Sequence, residues 1–200
     1  SFMPGEMPDA IYGSCRLFHT TGITLGLGGQ ARATAIELLR RAKAAGVICA
    51  VMDHKQWPSR EAYDLAVADA IRKSGADTVA LAGYMRMLTP GFLNAFPHRV
   101  INIHPALIPA FCGPGMYGHH VHEAVLAYGA KISGATTHFV DEQVDHGGVI
   151  MQKSVPVLEG DTPETLAARV LAVEHEILPE SVRLFCAEKL GVDGRQVHVL

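Results

Sequence analysis

An α/β fold built on parallel strands is predicted by two features of this 200-residue chain. Helical and strand-like patterns alternate from Arg32 onward, and the strand-like segments are short continuous apolar runs of the kind buried on both faces. The series opens with Ala35 to Ala45, a run of good helix formers that stops at Gly46, followed by the apolar strand Val47 to Met52. Pro58-Ser59-Arg60-Glu61 then opens a second helix with Ser59 as N-cap. Tyr63, Val67, Ala70 and Ile71 recur on one face of it before Gly75 ends it. Thr78 to Ala82 is the second buried strand. Gly83 to Leu88 is a loop or short helix leading to Thr89-Pro90, and Val100 to Ile103 is the third strand.

After a loop from Pro105 to Gly118 the pattern changes. A helix is predicted over His122 to Tyr128, and β-rich segments at Gly134 to Val140 and Val149 to Val157 suit a hairpin-like pair around the turn-rich Asp141 to Gly148. Gly160-Asp161-Thr162-Pro163-Glu164 starts a long final helix with an N-cap, a first-turn proline and an early acid. Leu166, Val170, Val173 and Ile177 give that helix an apolar stripe, and Pro179 is expected to kink it. One domain over residues 1–200 is the expectation, with no repeat and no low-complexity linker.

Composition narrows the function. The chain is 48% hydrophobic and 18% charged, and 17 basic against 20 acidic residues leave a net charge of −3. That balance gives no electrostatic reason to bind nucleic acid or an anionic membrane, so small-molecule substrates are expected. Cys15, Cys49, Cys112 and Cys186 form no C-x-x-C pair, which fits a reducing cytoplasm better than a zinc ribbon or dithiol centre. No apolar run reaches the roughly 18 residues of a membrane span, and no export signal is expected in Ser1 to Ala10.

The run Val100-Ile101-Asn102-Ile103-His104-Pro105 carries the chemistry. Residues two apart on a strand share a face, so Asn102 and His104 would project together from its carboxyl end, where open α/β sheets bind ligands. An Asn amide can donate to a developing oxyanion, and a His can move a proton near neutral pH. Both positions also suit a turn, since Asn is common near strand ends and His-Pro at loop starts. Asp145, in the acid-rich turn before Gly147-Gly148, is a carboxylate that could orient His104, or simply a turn residue.

These stretches together resemble the folate-dependent formyltransferases, and most closely those that act on phosphoribosylglycinamide. The match runs through Ser59-Arg60-Glu61-Ala62-Tyr63-Asp64, Leu81 to Leu88, Asn102 to Pro109 and Val144-Asp145-His146-Gly147-Gly148-Val149-Ile150, with Val155 to His175 fitting as well. The resemblance implies a three-layer αβα fold with a mostly parallel, Rossmann-like sheet. It also implies formyl transfer from 10-formyltetrahydrofolate to the amine of glycinamide ribonucleotide in purine synthesis. By the same resemblance Asn102, His104 and Asp145 would be catalytic. The donor would lie against Met85, Arg86, Met87, Leu88, His138, Val140 and Asp141, and the acceptor would touch Gly83, Met85, Asn102, His119 and Glu174. No metal is implied, a monomer or homodimer is expected, and Ile108-Pro109 would be cis.

The first 35 residues depart from that pattern. The family opens with a strand and a Ser-Gly-x-Gly-Ser-Asn loop whose backbone N–H groups cradle a phosphate at a helix N-terminus. Here the nearest glycine cluster is Gly26-Leu27-Gly28-Gly29-Gln30-Ala31-Arg32, which reads as a flexible connection in preference to a phosphate nest. The loop Phe111 to Gly118 is longer than the common form, and Ala106 stands where many members have Ser. His119-His120-Val121-His122 lacks a carboxylate or Cys at a recognised metal-ligand spacing. Rival readings are a 10-formyltetrahydrofolate hydrolase, a tRNA-directed formyltransferase, disfavoured by length and charge, and a folate-binding homologue without catalysis.

Overall fold

The computed structural model of the chain describes residues 17–20, 50, 52–84 and 86–200. The expected helix Ala35 to Ala45, most of the strand Val47 to Met52 and the glycine cluster Gly26 to Arg32 lie outside them. The chain divides into two compact units between Phe96 and Pro97.

In the first unit, strand β1 (Leu17–Thr20) pairs in parallel with β2 (Thr78–Leu81), whose four residues are all buried. Helix α1 (Arg60–Lys73) begins where the sequence places it. The Ser59 hydroxyl accepts from the Ala62 N–H at 3.2 Å, and Glu61 stands in the first turn, where hydrogen bonds from its own backbone N–H and from Ser59 hold its carboxyl below the usual range. Its inner face is Asp64, Ala68 and Ile71. The buried Asp64 carboxylate accepts from the Thr89 N–H at 2.8 Å, at the entrance to the short helix α2 (Pro90–Ala95), and the Arg72 guanidinium donates to the Ala95 carbonyl at 2.7 Å. These two charged contacts bracket α2 at both ends, and Phe92 packs on Phe96 beside them at 5.3 Å between ring centroids. Asp64, part of the first matching stretch, therefore has a structural task.

The second unit holds β3 (Val100–His104), β4 (Ile132–Phe139) and β5 (Val149–Pro156), paired antiparallel in that order. The β4 and β5 pair is the expected hairpin-like segment. Its register shifts between Thr137 and His138, leaving Ile150 as an extra residue on β5. At the shift the Met151 N–H donates to the Thr137 hydroxyl at 3.1 Å. That hydroxyl lies 2.6 Å from Ser181 Oγ, which donates to the Ile177 carbonyl at 2.8 Å. The chain of bonds satisfies the disrupted ladder and ties it to the final helix.

Helix α3 (His119–Tyr128) starts three residues before the expected His122, because Gly118, at φ 55°, turns the chain directly into it, and Gly129 at φ 77° ends it. Helix α4 (Pro163–Cys186) packs on β3, β4, β5 and α3. Its stripe of Leu166, Val170, Val173 and Ile177 is buried throughout, each side chain contributing about 1.5–3 kcal/mol of apolar burial. Thr162 and Thr165 form a reciprocal capping box, and the helix continues past the buried Pro179 to Cys186. Asp161 precedes the cap and accepts both nitrogens of Arg169, at 2.7 and 2.8 Å, which holds its carboxyl well below the usual range. Beyond α4, β6 (Leu190–Asp193) and β7 (Gln196–Val199) form a second, two-stranded sheet. This pair was not among the expected elements, although Gly194 between alternating apolar residues suits the first central position of a two-residue hairpin turn. No helix among the described residues is long and apolar enough to cross a membrane.

Candidate active site

Four side chains of the second unit converge at the carboxyl end of β3. Asn102 and His104 come from β3 itself, His138 stands opposite Asn102 on β4, and Asp145 comes from the loop joining β4 to β5. Asn102 is half-buried, while His104 and His138 are buried. Asn102 Nδ2 lies 3.2 Å from His138 Nε2, His104 Nδ1 lies 3.5 Å from Asp145 Oδ2, and His138 Nε2 lies 3.7 Å from Asp145 Oδ1.

The hydrogen bonds fix the tautomers. His138 Nδ1 is 2.8 Å from the Phe139 carbonyl, which only accepts, so Nδ1 carries the proton and Nε2 is the acceptor. Asn102 must then turn its NH2 group toward His138, which leaves its second N–H for another acceptor. Burial pulls the His138 imidazole below its ordinary pKa, outweighing the Phe139 carbonyl and Asp145, and keeps it neutral in this role. His104 Nε2 is 2.8 Å from the Phe111 carbonyl and donates to it, so in the neutral ring Nδ1 is the basic atom. A proton taken at Nδ1 would lie beside the Asp145 carboxylate.

The loop after β3 clamps both partners. Phe111, at φ 50°, offers its carbonyl to His104, and the Gly113 N–H donates to Asp145 Oδ2 at 2.9 Å. Gly113 has φ 91°, which glycine adopts freely. Asp145 itself has φ 53°, a conformation rarely held by a non-glycine residue except at sites that constrain it. Ile108-Pro109, in the same loop, is cis, as the family resemblance implied. The roles of Phe111 and Gly113 are carried by backbone atoms, and nothing in their side chains signals them.

Other expected site residues are distributed over both units. Gly83 (φ 67°), Arg86, Met87 and Leu88 lie in the first unit, with the Arg86 guanidinium 5.3 Å from the Tyr63 ring centroid and Met87 exposed; Met85 lies outside the described residues. In the second unit, the Val140 N–H donates to the Val100 carbonyl at 2.9 Å. Asp141 accepts from the Gln143 N–H at 2.8 Å and from His146 Nδ1 at 2.9 Å. His119 is exposed in the first turn of α3, edge-on to the buried His122. Glu174 is half-buried on α4, and burial pushes its carboxyl up to about 7. Among the described residues, no group of three His, Cys, Asp or Glu side chains is arranged to hold a metal ion.

An amide donor, a histidine with one basic nitrogen and a half-buried carboxylate form a set suited to acyl transfer. The formyl transferase family model matches residues 31–182. The chain belongs to the formyl transferase family. Among formyl transferases it is 47% identical over 136 residues to the chloroplastic phosphoribosylglycinamide formyltransferase of Arabidopsis thaliana, covering 68% of this chain and 47% of that protein. It is 40% identical over 173 residues to the phosphoribosylglycinamide formyltransferase of Mycobacterium tuberculosis, covering 86% of this chain and 76% of that one. The crystal structure of glycinamide ribonucleotide transformylase 1 from Symbiobacterium toebii superposes with a TM-score of 0.77 at 48% identity. That match covers 81% of this chain and 74% of the other. The three-layer αβα formyltransferase fold is thereby shown, while the chain spans less than half the length of the first curated relatives it matches.

Proposed function

We propose that this formyl transferase moves the formyl group of 10-formyltetrahydrofolate to the amine of glycinamide ribonucleotide, a step of purine synthesis. The observation that carries the reading is the convergence of Asn102, His104, His138 and Asp145, together with relatives named for that activity. The acceptor amine attacks the formyl carbon and forms a C–N bond. The second N–H of Asn102 donates to the oxygen as it becomes an oxyanion, an interaction typically worth about a hundred- to a thousandfold in rate. His104 takes the amine's proton at Nδ1, where Asp145 stabilises the cation, and delivers it to N10 of folate as the bond from the formyl carbon to N10 breaks. His138 keeps the Asn102 amide turned toward the reacting oxygen. Positioned proton transfer of this kind contributes about a hundred- to ten-thousandfold, and holding the two substrates together supplies much of the remainder.

In this reading the donor lies along His138, Val140 and Asp141 of the second unit, where Glu174 and His119 face the acceptor. The enzyme works in the cytoplasm, as a monomer or homodimer, without nucleic-acid or membrane partners. Calorimetric titration with glycinamide ribonucleotide, with and without an unreactive folate analogue, tests it. Micromolar acceptor binding, strengthened by the analogue, is expected. Folate binding without acceptor binding would refute the transferase reading and favour a folate-binding homologue. Formate release without any acceptor requirement would favour the hydrolase.

A further inference from the structure

We infer that the C-terminal strand pair of β6 and β7 is a positioning element for the formyl donor, acting through Arg195 and His146 on the loop that carries Asp141 and Asp145. Two independent contacts join them. Arg195 occupies the two-residue turn between Asp193 and Gln196, and its Nη1 lies 3.1 Å from His146 Nε2. At the end of the same loop, a methyl group added to Gly148 would come within 3.0 Å of Val197 Cγ2 and 3.1 Å of the Arg195 carbonyl oxygen. The hairpin is thus seated on the loop both by side chain and by close backbone approach.

The polar link has a direction. A guanidinium only donates, so His146 Nε2 accepts from Arg195 and Nδ1 carries the ring proton. That proton is given to Asp141 Oδ2 at 2.9 Å, while Oδ1 of the same carboxylate accepts from the Gln143 N–H. The relay from Arg195 through His146 to Asp141 therefore holds the outer half of the loop. The inner half is held by Gly113 on Asp145 and by the Phe139 N–H on the Gly148 carbonyl, at 2.9 Å each. Arg195 reaches neither His104 nor Asn102, so its effect falls on binding in preference to the chemical step.

The inference rests on the proposed reading of Val140 and Asp141 as part of the donor site, and the test separates the two. Hydrogen exchange of the amides of residues 141–146 is compared in the ligand-free parent, Arg195→Ala and Arg195→Lys, alongside donor affinity and steady-state kinetics. Arg195→Ala is expected to speed exchange in the loop and to raise the donor Kd and KM by about two- to fivefold, the effect of an exposed charged contact. Its kcat should stay within about twofold while Arg195→Lys, which retains one donor to Nε2, restores most of the affinity. Unchanged loop exchange in Arg195→Ala overturns the positioning role. Faster exchange with unchanged donor affinity overturns its bearing on the donor. Absence of folate binding in the parent overturns the proposed function instead, and loop exchange alone then decides whether the hairpin holds the loop.

Discussion

The Asn102 amide carries two N–H groups and spends one of them on His138, which makes the two residues a coupled pair. Asn102→Ala is expected to lower kcat by about a hundred- to a thousandfold with donor affinity held within a few-fold, because the lost donor acts on the transition state. His138→Ala should lower kcat by about tenfold, with the double variant no slower than Asn102→Ala. Additive losses in single-turnover measurements would show that His138 acts by a separate route. Asn102 and His104 were legible as candidates because residues two apart on a strand share a face, whereas Asp145 gained its expected role only through the family resemblance. The part His138 plays was not legible, since it depends on standing opposite Asn102 across two strands separated by a long stretch of chain.

Elements were legible where local signals agree. The caps at Ser59 and Thr162, the stop at Gly75 and the buried stripe of α4 all follow from short-range patterns. Leu166→Ala removes a fully buried side chain from that stripe, and urea unfolding should show a loss of about 2–5 kcal/mol. The start of α3 at His119 depends on the backbone angle of Gly118, and the register shift of β4 against β5 on hydrogen bonds from Thr137 to α4. Neither is written in periodicity. The loop joining β4 to β5 is tightly constrained at Gly147. A methyl group on Gly147 would fall 1.9 Å from the Phe139 carbonyl oxygen, so Gly147→Ala must shift backbone in the loop that carries Asp145 or at the end of β4. Turnover in that variant is expected to drop by about a hundredfold or more, as for displaced catalytic groups, while its far-ultraviolet circular dichroism stays that of the parent.

At the scale of the whole chain, stability should respond to Glu174. Its folded carboxyl titrates near 7, above the ordinary 4.5, so between those values the folded state keeps a proton that the unfolded chain has released. Stability therefore falls as pH rises from about 4.5 to 7. Glu174→Gln should remove about 1–2 kcal/mol of that fall once partial exposure is allowed for, as read from urea midpoints at pH 5 and pH 8. Family and fold class were legible over most of the chain because the matching stretches span both units. No phosphate-binding loop was legible in residues 1–30, which lie outside the matched family model. The extra residue at Ile150 bears on how such a protein can change over generations. Because side chains alternate along a strand, losing or gaining one residue there would turn the neighbouring part of β5 inside out and shift the span leading to Asp145. Single side chains along this stretch can be exchanged without turning their neighbours, whereas its length cannot be altered in that way.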